Sequence, residues 1–189
     1  SLFQKQFNRS TCGPITNTLP SIYVDDTKRF QTMDGFGYTL TGGSAQLLTR
    51  MNSTDRAQLL QELFATDQNN IGVSYLRISI GASDLSDHVF TYDDLPAGKT
   101  DPTLSQFTLA EEQKELIPVL KQILKINPQI KILGSPWTPP SWMKTNGASK
   151  GGSLKPEFYD VYARYLVKYI QEMQKEGVRI DAITVRNEP

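Results

Sequence analysis

The feature that most constrains this chain is a rhythm. Four short apolar segments, Met33 to Tyr38, Tyr75 to Ile80, Ile130 to Gly134 and Ala182 to Val185, read as strands, and helical stretches separate them. Strands that alternate with helices pair in parallel through right-handed crossovers, so helices cover the sheet and every loop after a strand opens at the same end. That end is where a barrel or an open α/β sheet does its chemistry. The expected fold is therefore α/β, a (β/α)8 TIM barrel. A whole barrel needs roughly 250 residues, so a chain of 189 supplies about the first four βα units. Residues 1–29 lack helical period and are rich in Ser, Thr, Asn and Pro, with one strand-like stretch at Ile22-Tyr23-Val24 ended by Asp25-Asp26. They read as an arm outside the barrel, and residues 30–189 as its first half.

The helices carry their own punctuation. Ser53-Thr54-Asp55 offers N-cap chemistry before a run in which Leu59, Leu60, Leu63 and Phe64 form an apolar face. Thr108-Leu109-Ala110-Glu111 has the form of a capping box ahead of Leu116, Val119, Leu120, Ile123 and Leu124. Pro118 inside that run fits a first turn, which moves the start towards Glu115 or kinks the helix. The clearest helix runs from about Pro156 to Glu176, with Phe158, Tyr162, Tyr165 and Tyr169 in one register and Gly177 at its end. The aromatic stripe reads as core packing.

Composition narrows the chemistry. Twenty basic and twenty acidic residues cancel, so nothing in the net charge favours nucleic acid or an anionic membrane. No apolar run reaches the length of a transmembrane segment. Cys12 stands alone and His88 is the single histidine, which leaves no internal disulfide, histidine triad or histidine-based metal cluster. The glycines at 35, 37, 42 and 43 match neither the dinucleotide fingerprint nor a P-loop. They fit close backbone approach around a ligand or at a strand end. No metal and no cofactor is expected, and the chemistry rests on carboxylates.

The loops after the strands supply candidates. Arg77 in Leu76-Arg77-Ile78-Ser79 places a charge inside an apolar strand, which calls for a paired carboxylate within reach. The pair is either structural or orients a catalytic carboxylate. Both tryptophans lie in Gly134-Ser135-Pro136-Trp137-Thr138-Pro139-Pro140-Ser141-Trp142, a loop stiffened by three prolines. Sugar rings present C–H faces that pack on indole, so Trp137 reads as a sugar platform or as core, and Trp142 as a supporting wall. The last strand ends in Asn187-Glu188-Pro189, which puts a carboxyl group and an amide at the barrel mouth. Glycosidic cleavage needs one carboxylic acid to protonate the leaving oxygen and a second carboxylate opposite.

Taken together, Asp34-Gly35-Phe36-Gly37, Arg77 with Ala82-Ser83-Asp84, Ser135-Pro136-Trp137-Thr138 through Trp142-Met143-Lys144-Thr145-Asn146-Gly147, Gly152-Ser153-Leu154-Lys155, Tyr162-Ala163-Arg164-Tyr165 and Asn187-Glu188-Pro189 resemble the glucosylceramidase (acid β-glucosidase) family of retaining glycoside hydrolases, family thirty. The resemblance runs from about residue 20 to the end. It implies a barrel flanked by a small β-sandwich side domain, to which the arm would belong. It also implies Glu188 as acid/base, Asn187 as a hydrogen-bond partner of the sugar 2-hydroxyl, Trp137 as the wall of the sugar subsite, and Arg77 as a brace for the nucleophile. That nucleophile is a glutamate of a later strand, beyond Pro189.

One departure concerns substrate. Where the family carries an acidic residue just after the Phe-Gly stretch, this chain has Leu40-Thr41-Gly42-Gly43. That departure brings β-1,6-glucan or another β-linked glucoside forward beside glucosylceramide. The partners so implied are a β-linked glucoside or glucan and the remaining half of the barrel, without which residues 1–189 are expected to be inactive and to aggregate. A secreted or extracytoplasmic setting follows from the family and from two weak glycosylation triplets, Asn8-Arg9-Ser10 and Asn52-Ser53-Thr54. The rivals are an inactive carbohydrate-binding barrel and an unrelated barrel enzyme such as an aldolase. Against the second stand the paired tryptophans.

Overall fold

The structure is a computed structural model that describes Pro20, residues 22–67 and residues 69–187. The chain divides into two compact units, Ser1–Met33 and Asp34–Pro189. In the first, Asp25 accepts from both the backbone N–H and the hydroxyl of Thr27, making a turn where the sequence suggests one. The strand expected at Ile22-Tyr23-Val24 does not form: these residues are irregular and largely exposed, with no partner strand among the described residues.

The second unit is a four-stranded parallel sheet in the order β1-β2-β3-β4, built from β1 (Gly37–Leu40), β2 (Tyr75–Ile80), β3 (Lys131–Pro136) and β4 (Ala182–Ile183). The helices α1 (Gly42–Arg50), α2 (Ser53–Phe64), α3 (Leu116–Ile126) and α4 (Tyr159–Lys175) fill the crossovers. The register aligns Thr39, Arg77, Leu133 and Ala182 across the sheet. Because successive side chains alternate between faces, Leu76, Ile78, Ile80 and Ile132 form one buried face, and Arg77, Ser79 and Ser135 share the other.

β1 begins at Gly37 rather than Met33 and runs on to Leu40. The backbone explains the shift. The carbonyl of Phe36 is taken by the N–H groups of Ser74 and Tyr75, and a Cβ at Gly37 would lie 1.5 Å from the Tyr75 carbonyl oxygen. This bears out close backbone approach as the reason for that glycine. β3 runs to Pro136 and β4 stops at Ile183, against Gly134 and Val185 in the sequence reading.

Helix α1 is absent from the sequence reading, which took Gly42-Gly43 as loop. Thr41 caps it, its hydroxyl accepting from the Ser44 N–H at 3.1 Å, and Ala45 is buried in the core. The cap of α2 is Asn52, not the Ser53-Thr54-Asp55 stretch: its side chain accepts from the Asp55 N–H at 2.9 Å. That use of the Asn52 amide leaves its glycosylation triplet engaged in helix capping. Asn8 lies outside the described residues.

α3 starts at Leu116 with Glu115 as its cap, and Pro118 falls in the first turn, where no intrahelical N–H is needed. The Thr108 capping box does not form. Its hydroxyl accepts from Ala110 N–H in a tight turn instead. A 3-10 turn at Pro156–Phe158 leads into α4, whose Tyr162, Tyr165 and Tyr169 are buried as expected. Gly177, at φ 80°, closes α4, with the Val178 N–H bonded back to the Met173 carbonyl.

Candidate active site

The polar face of the sheet leads into a cavity of about 170 Å³ at the C-terminal ends of the strands. It is lined by Thr39, Thr41, Arg77, Ser79, Ser83, Asp84, Leu85, Ser135, Trp137 and Asn187. Three of the four residues singled out from sequence, Arg77, Trp137 and Asn187, therefore meet in one place although 110 residues separate the first from the last. The fourth, Glu188, lies outside the described residues.

Arg77 differs from expectation in its partners. Among the described residues no carboxylate pairs with it. Its Nη2 donates to Ser135 Oγ at 3.1 Å and to Asn187 Oδ1. The guanidinium is only partly buried, so water meets part of the desolvation cost that the sequence argument assigned wholly to a counter-ion. Ser135 Oγ in turn lies 2.7 Å from Thr184 Oγ1. The backbone adds two ties, Thr184 N–H to the Gly134 carbonyl at 3.0 Å and Asn187 N–H to the Pro136 carbonyl at 2.9 Å.

Trp137 is half-buried with a face on the cavity, whereas Trp142 is buried. The Trp142 indole N–H donates to the Asp93 carbonyl at 2.9 Å, and its ring meets Phe158 edge-on at 5.1 Å. Trp142 is thus the supporting wall that the sequence suggests, locking the β3 loop to the β2 loop. The loop has a second lock in Lys144, 3 % exposed, whose Nζ donates to Ser149 O at 2.7 Å and Thr138 Oγ1 at 3.2 Å. Burial, with the Arg186 charge adding to it, lowers the Lys144 pKa. On the opposite side Tyr162 of α4 donates its hydroxyl to the Val185 carbonyl, bracing the segment that carries Asn187. Burial pushes that phenol up to about 12.

Sequence reasoning assigned no role to Asp84, Ser135 or Thr184. Asp84 was visible as a carboxylate just past a strand, and it places an acidic group on the cavity. Ser135 could have been found by alternation, since it follows Leu133 by two and pairs in register with Ser79. Among the described residues no cluster of histidine, cysteine and carboxylate side chains has metal-ligand geometry.

A parallel βα sheet with a cavity at the C-terminal ends of its strands puts the candidate site where TIM barrels and open α/β sheets carry theirs. The chain belongs to glycosyl hydrolase family 30, whose TIM-barrel domain model matches residues 33–189. It is 37% identical to an endo-1,6-β-D-glucanase of Neurospora crassa over 96% of its own length and 38% of that protein's. It is 36% identical to the lysosomal acid glucosylceramidase of Mus musculus over 97% of its length and 35% of the relative's. Among solved structures, an endo-β1,6-glucanase superposes with a TM-score of 0.79 at 40% identity, covering 87% of this chain and 36% of that one. The chain thus spans a little over a third of the length of these relatives.

Proposed function

We propose that the complete protein is a retaining glycoside hydrolase that cleaves a β-glucosidic bond. The observation that carries the reading is the convergence of Arg77, Trp137, Asn187 and Asp84 on one cavity at the strand ends. The indole of Trp137 packs against the sugar's C–H face, while Asp84 and the Asn187 amide bind its hydroxyls, Asn187 at the 2-position. Glu188 follows Asn187 directly and is the general acid. It protonates the leaving oxygen while a glutamate from a later strand attacks the anomeric carbon, and it then activates water as a base. The two carboxyl groups of a retaining pair stand about 5–5.5 Å apart. Arg77 holds Asn187 in place beside them and braces the nucleophile. No step calls on a metal or cofactor.

The particular substrate is a β-1,6-glucan or a glucosylceramide-like glucoside. The 40% identity to a solved endo-β1,6-glucanase favours the glucan. Against it, Asp84 restores an acidic hydroxyl grip of the kind a terminal-glucose site needs. We assign residues 1–29 to a β side domain on the family resemblance alone, and the protein to an extracytoplasmic or lysosome-like setting on relatives such as the lysosomal one above.

The test is hydrolysis by the complete protein of an aryl β-glucoside, a β-1,6-glucan and glucosylceramide, each repeated with Glu188→Gln. Loss of turnover on the natural substrate, with partial recovery on an activated aryl glycoside or with azide, supports the acid/base role. A wild-type protein that binds these sugars and cuts none of them is instead a carbohydrate-binding barrel.

A further inference from the structure

Ser135 is 2% exposed at the floor of the cavity, and its hydroxyl is taken up by protein partners as the node of a side-chain chain across three neighbouring segments. Arg77 has only donors, so both of its neighbours in the chain must accept from it. Its Nη2 carries two protons, and the two acceptors there are Ser135 Oγ and Asn187 Oδ1. The Ser135 proton is then available to Thr184 Oγ1, 2.7 Å away. One consequence concerns the exposed end of the chain. With Oδ1 of Asn187 turned to the guanidinium, its NH2 must face the cavity, so the amide presents donors to the ligand.

We infer that Ser135 and Thr184 are positioning residues that act through Arg77 to hold the Asn187 amide in its donor-outward orientation. The inference rests on the glycosidase reading for its substrate, but the geometry stands apart from it. Asn187 is exposed, and among the described residues its other tie is its backbone N–H to the Pro136 carbonyl. A free amide flips, and a flipped one would set a carbonyl oxygen against a sugar hydroxyl at the point where a donor is wanted. Ser135 and Thr184 remove that alternative by fixing Arg77.

The experiment uses the complete enzyme with Ser135→Ala, Thr184→Val and the hydroxyl-retaining Thr184→Ser, on an aryl β-glucoside and its 2-deoxy analogue. Ser135→Ala should lower kcat on the glucoside by roughly five- to tenfold, the effect of about one neutral hydrogen bond, with little change in KM. Thr184→Val should lower it less, Thr184→Ser should match wild type, and the Ser135→Ala defect should vanish on the 2-deoxy substrate. An equal loss on both substrates, or a loss in KM alone, overturns the inference. A crystal structure of Ser135→Ala provides a readout independent of turnover. The amide should leave Arg77 or adopt a second rotamer, and an unchanged Arg77–Asn187 contact refutes the positioning role. Wild-type inactivity towards every β-glucoside would refute the glycosidase reading instead, and the crystallographic comparison would still decide the inference.

Discussion

At the scale of single residues, two buried acids make the sharpest pH prediction. Asp93 is 1% exposed, and neither carboxylate oxygen has a hydrogen-bond partner among the described residues. Burial, followed by the charges of Asp101 and Asp94, lifts its pKa from 3.8 to about 6, against a smaller opposing pull from Lys168. Glu112, which accepts from the Tyr92 hydroxyl at 2.7 Å, rises from 4.5 to about 7 by burial. A folded-state pKa above the unfolded value means that the folded chain binds the extra proton, so stability falls as pH rises from about 4 towards 7. Asp93→Asn should therefore gain stability relative to wild type across that window, and little below it. Denaturant melts at pH 4 and 7 check this, and an advantage independent of pH would contradict it. At the cavity, Trp137→Ala should raise KM by roughly two- to twelvefold while the protein still folds, since a stacked aromatic face contributes about 0.5–1.5 kcal/mol. Initial-rate kinetics beside a thermal melt separate the two effects.

Residues were the scale at which the sequence spoke least evenly. The cost of a charge in an apolar strand exposed Arg77, but its partners depend on register across crossovers of unequal length. Nothing local shows that Leu133 lies opposite Arg77 or that Ser135 reaches Thr184. The argument for a carboxylate partner assumed full burial, whereas Arg77 is only partly covered.

Elements were more legible because their signals are local. The 3.6-residue aromatic stripe of α4 marked a core face, and Tyr165 and Tyr169 do stack on Tyr92 of the β2–α3 connection, at 6.0 and 5.6 Å. The Tyr165 hydroxyl also accepts from the Tyr92 N–H at 3.1 Å in a buried position. Tyr165→Phe should strand that buried donor and cost about 1–3 kcal/mol in urea unfolding of the complete protein. A loss below a few tenths would mean that the connection relaxes to find another acceptor. Helix α1 escaped notice because a glycine pair opens it. The cap that specifies it, Thr41 with Ser44, is short-range but was masked by reading Gly42 and Gly43 as a loop. A Cβ at Gly43 would stand 2.3 Å from the Leu85 carbonyl, so that glycine answers to a neighbouring loop and not to helix propensity.

At the scale of the whole molecule, the parallel order β1-β2-β3-β4 is what the alternating pattern required. Each outer strand has one open edge among the described residues, and Tyr38 on β1 is 42% exposed. A polypeptide of residues 1–189 alone should therefore self-associate through those edges and lack glycosidase activity. Ultracentrifugation decides the first point, and a monomer with a cooperative melt would contradict it.

The central claim is that Glu188 is the acid/base of a retaining β-glucosidic hydrolase. The most direct measurement is turnover of an activated aryl β-glucoside by the complete Glu188→Gln variant with and without azide, with NMR of the product. The account predicts that azide partly restores the rate and that the azide adduct has the β configuration. An α adduct, or a variant as active as wild type on the natural substrate, would contradict it.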